Sequence, residues 1–277
     1  MTDAKLLDPK NDFVFKKLFA TAPNLLTALI NAIRSEEDPI DVIEVLNPRI
    51  DPEELAGKFI VLDLLAQDTH GRRYNIEMQV RRYNAWSARS AYYLARTLTH
   101  QLSNGEDYQS IKPVIGIHLL DFVLFNAPDQ EQQALWCFEL RDRRQPDIKL
   151  GNELQLNIIE LPKADRLGMA QAGLAAWVAF FEHWQEERKM TEIAYPPVQQ
   201  ALDRIKYLSG DAETRRLAFV RERALHDEIS ELRAEREKGK LEGKLEIARN
   251  LKASGIADEV IMCATGLSRE EIDELKP

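Results

Sequence analysis

Two carboxylates stand inside sequence that otherwise reads as strand core, and their spacing constrains the fold more than any other feature. Asp63 follows the apolar run Phe59-Ile60-Val61-Leu62, and Glu77 lies within Asn75-Ile76-Glu77-Met78-Gln79-Val80. Residues 73–81 alternate strictly: Tyr74, Ile76, Met78 and Val80 on one face, Asn75, Glu77, Gln79 and Arg81 on the other. Residues 68–71 carry turn chemistry, so 58–68 and 73–81 are predicted to form a β-hairpin. If the hairpin turns about His70, paired residue numbers sum to about 140, which sets Asp63 opposite Glu77. Opposed residues share a sheet face with Cβ atoms ~5 Å apart. Gln79 falls on the same face, roughly 6–7 Å along from Glu77. One residue of slip would turn Asp63 to the other face.

A carboxylate in a strand core is costly unless it is paired or bound to a cation. Two of them ~5 Å apart repel unless a proton or a cation joins them. Two readings follow. In one, Asp63 and Glu77 are half-buried ions paired with Arg72, Arg73 or Arg81. In the other, they supply hard oxygen ligands for Mg2+ or a similar ion. Such an ion polarises a phosphodiester, activates an attacking water and stabilises the leaving oxygen. Gln79 would then orient the water by hydrogen bonding. It cannot take up a proton, so the base has to come from the ion's own water or from the scissile phosphate.

The remaining pattern places this hairpin in an α/β domain. Asp8-Pro9 is predicted to cap and start a helix, and Pro23 to divide the apolar segment 11–32 into two. Residues 41–47 read as a short strand and 48–54 as a turn. Residues 85–102 form the clearest helix of the first half, and 113–120, 135–140 and 154–159 read as strands. Beyond Pro162 the pattern is helical: 165–189, 197–209 and 212–251, then a small unit over 256–275. The expected organisation is a core over 1–163, a helical extension over 164–225, and a charged helix with a small helical tail over 226–277.

Composition narrows the function classes. No apolar run approaches the roughly 18 residues of a membrane span, so no membrane association is expected. The opening segment is polar and does not read as a signal peptide. Cys137 and Cys263 lie far apart, which argues against a disulfide framework or a zinc site and fits a reducing cytoplasm. A net charge of −9 argues against nucleic-acid binding by bulk charge alone. A divalent ion with a local basic patch can still hold a phosphate on an acidic protein.

Three groups of residues carry a family resemblance. They are Asn11-Asp12-Phe13-Val14-Phe15-Lys16-Lys17-Leu18-Phe19, then Asp63, then Asn75-Ile76-Glu77-Met78-Gln79-Val80. Together they resemble the Rpn family of recombination-promoting nucleases and putative transposases, within the PD-(D/E)XK nuclease superfamily. Arg89, Tyr93, Arg96, the run 111–117 and Glu160-Leu161-Pro162-Lys163 also fit. The resemblance implies a restriction-endonuclease-like mixed sheet flanked by helices. It implies metal-dependent cleavage of DNA with little sequence preference, with Mg2+ the expected ion and Mn2+ or Ca2+ as alternatives. By the same resemblance Asp63 and Glu77 are metal ligands, and Gln79 stands where the superfamily has lysine. That substitution keeps open a second reading, an inactive relative that binds DNA or a partner protein.

Other candidates are secondary. Arg89, Tyr93, Arg96 and His100 form one helical stripe; the first two are expected to hold the phosphate backbone, the last two to be an ordinary solvated face. Asp12 and Lys16 are spaced for a helix salt bridge, and the resemblance offers Asp12 as a further acidic site residue. His118 reads as a core histidine without a clustered partner. Trp177, Phe180, Phe181 and Trp184 read as core. Residues 221–249 read as a long solvated helix, with Gly239 and Gly243 hinting at a flexible stalk. In the tail, Ser268 and Glu271 form a capping box, as in the front half of a helix-turn-helix. Its second helix carries Glu270, Glu271, Asp273 and Glu274, which favours packing or homo-oligomerisation over a major groove.

Overall fold

The computed structural model describes residues 6–47, 49, 63–82, 85–103, 105 and 107–275. The predicted turn over 48–54 (apart from Arg49) and the front of the predicted strand over 58–62 lie outside the described residues. The chain divides into two compact units, Met1–Glu222 and Arg223–Pro277.

The first unit is built on a six-stranded sheet in the order β1-β2-β3-β4-β6-β5. Its strands are β1 (Val42–Val45), β2 (Leu64–Asp68), β3 (Arg73–Gln79), β4 (Val114–Leu120), β5 (Leu135–Glu139) and β6 (Leu154–Glu160). β3, β4 and β6 are parallel neighbours, while β1–β2, β2–β3 and β5–β6 are antiparallel, so the sheet is mixed as expected. Parallel strands cannot be joined by a tight turn, and α3 (Trp86–Thr99) is the crossover from β3 to β4.

Alternation decides what each face meets. Tyr74, Ile76 and Met78 of β3, with Ile115, Ile117 and Leu119 of β4, enter a core shared with α1 (Asp12–Ala20) and α2 (Pro23–Ile33). The same cluster takes in Trp177, Phe180 and Phe181 of α5 (Ala172–His183) and Ala201, Leu202 and Ile205 of α7 (Pro196–Gly210). The helices after the last strand are therefore continuous with the sheet's own core. Each fully buried Phe or Leu there contributes about 1.5–3 kcal/mol. The opposite face carries Asn75, Glu77 and Gln79 of β3 and is covered in part by α3. Gly116 makes that approach possible: a Cβ there would meet Leu94 Cδ2 of α3 at 3.0 Å.

Four local expectations are corrected. The first helix starts at Asp12, not after Asp8: Asn11 caps it by accepting from the N–H groups of Phe13 and Val14 at 3.1 and 3.3 Å. Asp8 instead closes a turn, accepting from Lys10 N–H at 2.8 Å. The segment 165–189 is three helices, α4 (Leu161–Leu167), α5 and α6 (Glu187–Glu192). Gly168, at φ 72°, ends α4 and donates to Ala164 O at 3.0 Å, a backbone geometry that favours glycine. Gly239 and Gly243 lie inside the unbroken helix α8 (Ala212–Ala253), so no break occurs at the expected stalk. Arg221, read as solvated, is 1% exposed.

Within the second unit α8 is followed by α9 (Asp258–Thr265) and α10 (Arg269–Asp273). Ala248, Ile261, Leu267, Ile272 and Leu275 form its small core. The expected capping box is present: Glu271 N–H donates to Ser268 Oγ at 3.2 Å, and Ser268 N–H to Glu271 Oε2 at 2.7 Å. Among the described residues no single helix is long and apolar enough to cross a membrane.

Candidate active site

The hairpin takes the register read from its sequence. Leu64 pairs with Ile76, Leu65 with Asn75 and Ala66 with Tyr74, and one step further places Asp63 against Glu77. The turn that fixes this register is built by Asp68. Its Oδ1 accepts from the N–H groups of His70 and Arg72, both at 2.9 Å, and its Oδ2 accepts from Arg72 Nε at 2.5 Å and Tyr74 OH at 3.0 Å. Arg72 is thereby committed to Asp68 and does not neutralise the Asp63–Glu77 pair.

Asp63 is held from both sides. Its Oδ2 accepts from Asn75 Nδ2 at 2.6 Å, on the strand face that also carries Glu77. Its carbonyl accepts from Asn47 Nδ2 at 3.2 Å, and Asn47 Oδ1 accepts from Leu65 N–H at 2.7 Å. Asn47 thus bridges the strand entry at Asp63.

Glu77 is 6% exposed. Burial pushes its carboxyl up to about 7; a hydrogen bond from Gln79 and the field of Arg89 oppose this, and the charges of Asp63 and Asp12 add to it. His118 Nδ1 lies 3.5 Å from Glu77 Oε2, but burial and the Arg89 charge push that imidazole down to about 3, so it is neutral. His118 Nδ1 also lies 3.4 Å from Ser90 Oγ, and its ring meets Trp86 edge-on at 5.4 Å. His118 is a buried histidine as read, yet it does have partners. The parallel register sets it directly beside Glu77.

Gln79 uses both ends of its amide. Its Oε1 accepts from the Trp86 indole N–H, and its amide nitrogen donates to Glu77. One amide hydrogen is left for a water or substrate. Gln79 therefore orients Glu77 first, a role that spacing could not indicate.

Of the α3 stripe, Arg89 is half-buried, its guanidinium 5.6 Å from the Tyr93 ring centroid, and its charge reaches both Glu77 and His118. Tyr93, Arg96 and His100 are exposed. On α1, Asp12 is gripped by Arg221: Nε lies 2.9 and 3.0 Å from the two carboxylate oxygens and Nη2 lies 2.6 Å from Oδ2. Lys16, on the next turn, is buried. The Asp12–Arg221 pair spans 209 residues, and no local pattern announces it.

Chemically the pair offers hard oxygen donors, one of them on a buried carboxyl, and that composition suits a divalent cation. Among the described residues no group of three or more His, Cys, Asp or Glu side chains could hold a metal, so any ion here relies on two carboxylates plus amide, backbone or water oxygens.

A mixed sheet with helices on both faces and a carboxylate-bearing hairpin defines a nuclease-type fold of the PD-(D/E)XK class. The chain belongs to that family: residues 9–235 match the PD-(D/E)XK nuclease family transposase. Residues 241–277 match the C-terminal HTH domain of the Rpn/YhgA-like nuclease family. No curated protein and no solved structure matches the chain. The second match bears out the helix-turn-helix likeness read from the tail. Gly266, the Ser268 cap and the small core set the local framework of that unit.

Proposed function

We propose that the chain is a metal-dependent DNA endonuclease that hydrolyses phosphodiester bonds with little sequence preference. The observation that carries this reading is the nearness of Asp63 to Glu77 beside the β2–β3 hairpin, with Asp63 bonded to Asn75 and its charge felt at Glu77, inside a chain of this nuclease family. A divalent ion bound there, Mg2+ foremost, supplies polarisation of the phosphodiester and activation of a water. Asp63 and Glu77 are its ligands. Asn75 fixes Asp63, and Gln79, anchored by Trp86, fixes Glu77. Arg89 and Tyr93 hold the phosphate backbone beside the pair. Asp12 is engaged by Arg221 and ties α8 to α1, which favours a structural role for it over a ligand role.

The test is nicking of supercoiled plasmid by the full chain with Mg2+, Mn2+ or Ca2+ against EDTA. Cleavage is expected with at least one ion and a fall of about 10^3-fold or more in Asp63→Ala and Glu77→Ala, the scale of losing several kcal/mol of charge stabilisation. Retained cleavage in both variants contradicts the site. One observation favours a second reading, a DNA- or protein-binding relative without activity: an amide, and not an ammonium, follows Glu77, and most of its hydrogen-bonding capacity is spent within the site. That reading predicts no cleavage with any ion, together with salt-dependent DNA binding.

A further inference from the structure

On the α3-covered side of the sheet, two strands from Glu77, lies a cavity of 450 Å3 bounded by Arg82, Trp86, Phe125, Phe138, Leu156 and Ile158. The sheet register puts it on the candidate site's own face. Glu77 pairs with His118, His118 with Ile158, Leu156 with Phe138. Trp86 joins the two places, since its ring helps bound the cavity while its indole N–H is donated to Gln79.

The cavity is built in advance. Phe125 is held by both of its backbone groups: its N–H donates to Glu160 Oε1 at 2.8 Å, and its carbonyl accepts from Lys163 Nζ at 2.6 Å. Its ring packs on Trp136 at 4.4 Å and lies 5.9 Å from Phe138. Phe138, by contrast, is 45% exposed, so part of its ring is open at the cavity. The cavity's size is that of a small-ligand site, its walls are aromatic, and a guanidinium stands at its edge.

We propose that this cavity takes one unstacked nucleobase of the nucleic-acid strand lying at Asp63 and Glu77. The inference rests on the nuclease reading above and adds a substrate preference to it. An aromatic wall accepts any base, since every base has a π-face, and Arg82 is suited to the adjoining phosphate. The favoured substrate is then DNA with a locally unpaired strand, where the base is already out of the stack.

The test measures binding in EDTA, where cleavage does not enter. Fluorescence anisotropy of the full chain is read on a labelled oligodeoxythymidylate and on a duplex of equal length. Phe138→Ala is expected to lower the ratio of single-strand to duplex affinity about tenfold, the scale of losing one base–aromatic stack. Phe138→Trp is expected to retain the ratio. One abasic position in the oligonucleotide should weaken wild-type binding comparably and leave Phe138→Ala unaffected. An unchanged ratio in both Phe138→Ala and Phe125→Ala overturns the proposal. So does an unchanged ratio with an altered sedimentation coefficient for Phe138→Ala, which would make the surface a contact between copies. Failure of the nuclease reading shows separately, as absent plasmid nicking by the wild type whatever the binding ratio.

Discussion

Glu77 and Glu160 are both buried glutamates on the α3-covered side of the same sheet, and they are treated in opposite ways. Glu160, 0% exposed, accepts from Leu124 N–H at 2.5 Å, Phe125 N–H at 2.8 Å, the Trp136 indole at 2.8 Å and the Lys163 ammonium at 2.6 Å. Lys163 in turn reaches the carbonyls of Phe125, Gln130 and Gln133 at 2.6, 3.3 and 3.1 Å. That network is closed, so its work is to hold the 121–134 connection against the sheet. Glu77 has one amide donor, a neutral imidazole, the field of Arg89 and the opposing charge of Asp63. Burial outweighs the Arg89 field, so the carboxyl favours a bound proton. A buried carboxylate alone therefore identifies nothing; what separates the two is how many donors close around each.

Three substitutions can break or sharpen this contrast. Lys163→Met should have the largest effect, destabilising the fold by about 3–5 kcal/mol in urea titration because Glu160 is left buried and unpaired. A cost near zero would mean that Lys163 does not balance the buried Glu160 charge.

Glu77→Gln should act in the other direction. The folded carboxyl titrates near 7 against 4.5 for an ordinary glutamate, so between these values the folded state holds a proton that the unfolded state has released. Stability contributed by that proton is complete below the unfolded value and is lost as pH rises through 7. In metal-free buffer the variant should be roughly 3 kcal/mol more stable than wild type near pH 8, with the difference vanishing near pH 4. Equal stabilities at both pH values would show that Glu77 is already compensated. Trp136→Phe should have the smallest effect, about 2 kcal/mol, since it removes one donor from a carboxylate that keeps three others.

Much of the fold was legible because it is local. The β2–β3 register followed from where a turn had to fall, and Asp68 builds that turn with its own side chain. Among the described residues the six strands fall within the stretches read as strands, though the apolar run 59–62 lies outside them. What was not legible is what long-range pairing supplies. His118 is beside Glu77 only because β4 adds in parallel after a helical crossover, and Arg221 meets Asp12 only when α8 returns to α1. Gln79 was placed on the right face, but its bond to Trp86 depends on where α3 begins. Apolar spacing over 165–189 runs past Gly168, where backbone geometry ends the helix.

The central claim is that Asp63 and Glu77 together hold a divalent cation, and calorimetric titration of the full chain with Mn2+ tests it most directly. One site is predicted near pH 8, its affinity about tenfold weaker near pH 6, where the ion must displace the Glu77 proton. The site is predicted to be lost in both Asp63→Asn and Glu77→Gln. Mn2+ binding of unchanged affinity and stoichiometry in both variants would contradict the claim.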